Sequence, residues 1–235
     1  MTYRATRPVN STVLFAAADR PVSGPGSRKV ITSVLRPASR SSSRPIVSVV
    51  QRSGGRGGTL LFPKTLVAYF SHSGSTRKLA ETVAMLSSGE LASLEPSVPY
   101  PSEEDSHVRA LEEEERLGSL PWLNPVYPVP GGYKVVLVGS PVWRSGLAGP
   151  VRSWLSKFDF AGMAAALFVT HDGRGGYRCL DDLTRHARNA SVEQDILHVR
   201  CDGRGGLIGL DEARVRTWLR AVKDPATGQP CYRGV

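Results

Sequence analysis

Long apolar runs are missing from this chain of 235 residues. No stretch approaches the roughly 18 uninterrupted apolar residues that a membrane helix needs. The longest clean run, Ala164 to Val169, has the length of a buried strand. The chain therefore reads as soluble, with no membrane span. Cysteine is also scarce. Cys179, Cys201 and Cys231 are odd in number and far apart, with no C-x-x-C pair and no His at zinc-finger spacing. That argues against a disulfide framework and a structural zinc, and fits a reduced compartment. The expected location is cytoplasmic, or an organelle matrix if the N-terminus is a transit peptide. His107, His186 and His198 are scattered, so no metal site is expected. Neither G-x-x-x-x-G-K-[ST] nor G-x-G-x-x-G occurs, which sets aside a P-loop and disfavours a dinucleotide.

Acidic residues are nearly absent from residues 1–63, which hold ten basic residues and one acid, Asp19. The rest of the chain has twenty of each sign and is neutral. The formal charge of +9 thus belongs to an extension and not to a folded surface. The extension is rich in Arg, Ser, Pro and Gly, as in 37–45 and 53–58. Such a segment buries too little apolar surface to offset chain entropy, so disorder is expected. Its composition fits a transit peptide, an RNA-touching arm, or a start codon assigned too far upstream in a GC-rich genome. Gly-Arg-Gly-Gly recurs at 173–176 and 203–206. The recurrence reads as composition, and nucleic acid is not the expected partner.

Order is expected from Lys64 onward, in a domain reaching about Val222 with 223–235 as a C-terminal tail. Apolar runs at 64–70, 133–139, 163–169 and 196–199 read as strands, and Leu91 to Glu95 as the remaining one. They do not alternate in and out, which indicates a parallel sheet covered on both faces. Helical stripes lie between them: Leu79, Val83, Leu86; Val151, Trp154, Leu155, Phe158; Leu180, Leu183, Ala187; and Val215, Trp218, Leu219, Val222. Pro150 suits a first helical turn, and Asp211 suits an N-cap. The alternation specifies a doubly wound α/β sheet. The acidic segment 102–118 reads as a solvated helix or loop without chemistry.

In such sheets ligands bind beyond the carboxyl ends of the strands. The first strand runs into Ser71-His72-Ser73-Gly74-Ser75-Thr76, and a helix follows. Its small residues let backbone wrap an anion, and the unpaired N–H groups of the helix start favour negative charge. An ordinary N-cap cluster would look similar. The second strand ends in Pro141-Val142-Trp143-Arg144, where an indole can stack on a flat ring or sit in the core. The third ends in Thr170-His171-Asp172-Gly173-Arg174-Gly175-Gly176, whose glycines permit close backbone approach or merely a flexible connection. Together the three loops offer an anion site, an aromatic plate and a backbone wall. A phosphorylated flat heterocycle fits that set.

The stretches L-V-A-Y-F-S-H-S-G-S-T, V-G-S-P-V-W, G-P-V-R-S-W-L, F-D-F-A-G and T-H-D-G-R-G-G, in this order, resemble the flavodoxin-like family over residues 64 to about 222. The resemblance implies a five-stranded parallel sheet in the order 2-1-3-4-5. It implies FMN as cofactor, with Ser71 to Thr76 at the phosphate and Pro141 to Arg144 and Thr170 to Gly176 flanking the isoalloxazine. It implies electron transfer to a small-molecule acceptor, such as a quinone, or to a redox protein. NAD(P)H is a candidate donor and a homodimer a candidate assembly. His72 stands where relatives often carry Arg, so its backbone N–H is expected to matter more than its ring. Arg144 replaces a frequent second aromatic. Arg144 and Arg174 near the ring would favour an anionic reduced flavin and raise its two-electron potential. No catalytic residue is firmly assigned. His171 is a candidate proton donor, although a single His in a Gly-rich loop is more often structural or solvated.

Overall fold

A computed structural model describes residues 62–173 and 176–235. The expected disordered extension lies outside these residues, except for Phe62 and Pro63, as do Arg174 and Gly175. The elements are β1 (Thr65–Tyr69), α1 (Ser75–Ser87), β2 (Glu90–Ser93), α2 (Glu104–Leu117), β3 (Val135–Trp143), β4 (Gly146–Leu147), α3 (Gly149–Leu155), β5 (Ala164–His171), α4 (Cys179–His186), β6 (Ser191–Val192), β7 (Leu197–Cys201), β8 (Leu207–Ile208) and α5 (Glu212–Ala221).

The sheet runs in the order β2-β1-β3-β5-β7-β8. Its first five strands are parallel and follow the expected 2-1-3-4-5 path. Three short strands are added, of which the two antiparallel ones make the sheet mixed. β6 and β7 both pair parallel with β5, so they are two pieces of one interrupted strand. β8 adds antiparallel to β7, and β4 folds back antiparallel on β3.

The continuous apolar runs are explained by burial on both faces. From β1 and the residue after it, Leu66, Ala68 and Phe70 join the core with Val151, Trp154 and Leu183, while Val67 and Tyr69 join Leu79, Val83 and Trp218. Two helical stripes differ in detail from the sequence pattern. α3 ends at Leu155, so Phe158 lies beyond it and packs its ring 5.6 Å from Trp154. α4 buries Cys179, Asp182 and Leu183, and Ala187 just beyond it is buried too, whereas Leu180 is only half-buried. Asp211 caps α5 by accepting the Ala213 N–H.

The segment after α5 is not a loose tail. Tyr232 is fully buried, and its hydroxyl lies 2.7 Å from Thr65 Oγ1, closing the chain against β1. α2 contrasts with the other helices, for none of its residues is buried. Among the described residues no helix is long and apolar enough to cross a membrane.

Candidate functional site

β1, β3 and β5 are neighbours, so the loops at their carboxyl ends meet on one edge of the sheet. Gly74 is the N-cap of α1, with φ of 98°, and no side chain caps that helix. A residue with a Cβ would be strained at that φ. The first-turn N–H groups of α1 are thereby presented to an anion.

The four hydroxyls of the loop divide into two pairs. Ser71 Oγ accepts the Gly74 N–H at 3.2 Å and tightens the turn, and Ser73 is exposed. Ser75 and Thr76 are each only 2% exposed. Ser75 Oγ donates to the Gly206 carbonyl at 3.3 Å, and Thr76 Oγ1 lies 2.7 Å from Thr170 Oγ1. The Thr76 hydroxyl therefore ties the first loop to the third, and only Ser71 and Ser73 face outward.

A fourth loop, 202–206, completes this wall. Asp202 Oδ1 accepts the N–H groups of Arg204 and Gly206, each at 2.8 Å. Gly205 has φ of 91°, and a Cβ there would stand 2.7 Å from the Ser73 carbonyl oxygen. Composition concealed this role. The available signal was its position, directly after the last parallel strand.

Pro141, Val142 and Trp143 continue β3 past its buried core and are half-buried. Arg144 and Ser145 form the two-residue tip between β3 and β4, with φ of 46° and 72°. Positive φ at both central positions matches the twist of a tight hairpin, although Asn and Gly normally supply it. The Trp143 indole is met edge-on by Phe70 at 5.2 Å, Tyr100 at 4.8 Å, His107 at 4.6 Å and His72 at 5.9 Å between centroids. Tyr100 and His107 were not anticipated, because they arrive from the connection between β2 and β3.

α2 supplies more than His107. Arg144 Nε lies 2.8 Å from Glu115 Oε2, and Arg144 Nη1 lies 3.7 Å from Glu112 Oε1. The acidic segment thus offsets the charge of Arg144. His107 Nδ1 lies 3.1 Å from His72 Nε2, linking α2 to the phosphate loop. Burial lowers the pKa of both imidazoles; for His107 the neighbouring His72 adds to the effect.

In the third loop, His171 is half-buried and its Nδ1 accepts the Gly173 N–H at 3.0 Å. That bond leaves Nε2 as the protonated nitrogen of the neutral ring. Its ring centroid is 5.8 Å from that of His198, whose pKa is lowered chiefly by burial. Asp172 is exposed. Gly173 and Gly176 have φ of 115° and 98°, and a Cβ on Gly173 would meet the Arg200 guanidinium at 3.6 Å. Among the described residues no cluster of His, Cys, Asp or Glu could hold a metal.

An open α/β sheet whose strand-end loops join an uncapped helix start to an aromatic plate defines a nucleotide-type ligand protein. A family model described as Flavodoxin matches residues 64–201, and the chain belongs to the flavodoxin family. A flavoprotein of Lactobacillus acidophilus, solved in complex with FMN, shares 22% identity and a TM-score of 0.54, covering 66% of this chain and 98% of that one. A candidate flavoprotein of Bacteroides eggerthii shares 24% identity and a TM-score of 0.56, covering 67% and 96%. These likenesses establish the fold. No curated protein matches the chain.

Proposed function

We propose that this chain binds FMN and acts as a small oxidoreductase that passes electrons from NAD(P)H to a quinone-like or other small acceptor. The observation that carries the cofactor is the uncapped start of α1, with Gly74 in the left-handed region and Ser71 and Ser73 facing outward. These groups suit a phosphate without any basic side chain in the loop. Trp143 and the third loop, with its described residues Thr170–Gly173 and Gly176, would flank a flat ring system bound there. Bound FMN supplies the hydride and electron chemistry; the protein positions and tunes it.

The residues around the site have separable tasks. The Thr76–Thr170 bond holds the first and third loops in register. Gly205 lets the 202–206 loop approach the Ser73 carbonyl. The Phe70, Tyr100 and His107 rings fix the indole of Trp143. His171 would present its Nε2–H from the third loop as a hydrogen-bond donor to the ring system. Arg144 is paired with Glu112 and Glu115, so it adds little net positive charge, and the rise in flavin potential expected from the two arginines is correspondingly smaller.

An electron shuttle would use exposed charge to dock a partner. Here Glu112 and Glu115 serve Arg144, Glu113 serves Arg116, and Glu114 accepts the Tyr100 hydroxyl. These pairings, together with the neutral formal charge of residues 64–235, favour an enzyme. The test is direct. Purified protein should show flavin absorption bands, release FMN on denaturation, and oxidise NAD(P)H when a quinone is added. Failure of the protein to bind added FMN refutes the cofactor; FMN binding without turnover refutes the enzyme.

A further inference from the structure

Behind the β3–β4 tip lies a cavity of about 200 Å³ that none of the phosphate-loop or third-loop residues lines. It shares Trp143 and Arg144 with the ring site, and Leu111, Leu120 and Leu147 add apolar wall. Its volume is below the roughly 300–1,000 Å³ of pockets for drug-sized molecules, so the occupant is small.

The charges around this cavity are unequally used. Three carboxylates border it, and each is engaged. Glu114 accepts the Tyr100 hydroxyl at 2.5 Å, Glu115 pairs with Arg144 at 2.8 Å, and Asp182 accepts the Leu147 N–H at 2.9 Å. Besides the paired Arg144, two further cations border it, Arg152 from α3 and Arg178 from the start of α4. Among the described residues neither forms an ion pair. Arg152 Nε is sealed from solvent and has no hydrogen-bond partner. Because Nε is sealed, a ligand in the cavity would be held by the Arg152 Nη groups.

We propose that this cavity is an acceptor subsite for a small planar carboxylate, held by the Arg152 guanidinium with Arg178 beside it. A guanidinium presents its N–H groups in a planar fork that matches a carboxylate. The leucines and the edge of Trp143 suit a single flat ring and give a compact, strongly hydrated ion such as phosphate nothing to pack against. The acceptor role rests on the FMN reading; the binding of a carboxylate does not.

Benzoate is the probe, titrated calorimetrically into the full chain as purified and again after loading with FMN. Benzoate should bind saturably, while benzamide, its neutral counterpart, and inorganic phosphate should bind at least tenfold more weakly. Arg152→Ala should weaken benzoate at least tenfold, with Arg152→Lys recovering part of the loss. Arg178→Ala, on a different element, should also weaken it. Arg216→Ala, on α5 and paired with Glu212, should have no effect. Absence of saturable benzoate binding, equal binding of benzamide, or benzoate affinity unchanged in both Arg152→Ala and Arg178→Ala would overturn the subsite. FMN affinity measured on the same preparation separates the two ideas. Loss of FMN binding with benzoate binding intact refutes the flavin reading and the acceptor role, and leaves the carboxylate site standing.

Discussion

The buried pair Thr76–Thr170 allows the structure to be tested against the simplest reading of the phosphate loop. That reading gives every hydroxyl from Ser71 to Thr76 to the ligand. In the structure the Thr76 hydroxyl is turned inward, 2.7 Å from that of Thr170, and both residues are 2% exposed. Replacing either by Val keeps the shape and removes one partner. The remaining hydroxyl is then buried and unsatisfied, at a cost of about 1–3 kcal/mol. For a domain of this size each kcal/mol corresponds to roughly 2–4 °C in Tm. Replacing both leaves two apolar groups in contact, and most of the loss should return. A double-mutant cycle should therefore show a coupling of about 1–2 kcal/mol, within the range for residues in contact.

The assay is urea or thermal unfolding of the parent, Thr76→Val, Thr170→Val and the double variant, with an FMN titration of each. The double variant should be more stable than at least one single variant and should keep FMN affinity within about threefold, a change of under about 1 kcal/mol. Additive losses would show that the two hydroxyls do not depend on each other. If FMN affinity instead fell by tenfold or more in the double variant with the fold intact, Thr76 would be a phosphate donor and the inward assignment would be wrong.

Three other outcomes follow from the same geometry. Gly205→Ala drives a Cβ toward the Ser73 carbonyl, whereas Gly203→Ala, at φ of 72°, meets nothing within 4 Å; FMN affinity should drop at least tenfold, about 1.4 kcal/mol, only in the first, and equal losses would mean that strain and not loop contact matters. Ser145→Gly relieves a left-handed Ser at the β3–β4 tip and should raise stability by about 0.5–1 kcal/mol, since left-handed backbone costs a non-glycine residue roughly 1–2 kcal/mol and glycine returns part in chain entropy; a lower urea midpoint would contradict this. Burial depresses the pKa of His72, His107, His186 and His198. Neutral imidazoles are thus preferred in the fold, so their contribution is complete above the unfolded value near pH 6.5 and declines as pH falls through the lowered native values. Urea midpoints should fall from pH 7.5 to 5, and His72→Ala/His107→Ala should flatten that slope in part; an unchanged slope would show that this pair stays protonation-indifferent.

The sheet was legible because its signal is local and redundant. Val135 to Val138 and Ala164 to Val169 are buried on both faces, and a doubly covered strand must be apolar at every position. The position of the Ser71–Thr76 loop was legible for a related reason, since it follows β1 without a break. What the sequence concealed depends on contacts between distant segments. Glu112 and Glu115 look like a solvated face until Arg144 is placed beside them. Gly205 looks like composition until the Ser73 carbonyl occupies the space where its Cβ would be. His107 lies thirty-five positions from His72, and no period relates them.

Two of these hidden contacts, those of Arg144 and His72, share one element, and that bears on how the site works. α2 buries none of its residues, yet it reaches the site through His107, Glu112 and Glu115. The Arg144 side chain is 48% exposed and its glutamate partners more so, so each pair is worth about 1 kcal/mol or less and is screened by salt. The rest of the site stands on strands whose side chains are sealed in the core. The Trp143 side of the candidate site therefore joins a rigid edge, made by β1, β3 and β5, to a helix that buries none of its residues and is held by half-buried and exposed contacts. Local opening draws on the segments with the fewest buried contacts. α2 should consequently exchange its amide hydrogens well before β3, and access to Trp143 and the cavity behind it should be governed by that helix and not by the sheet.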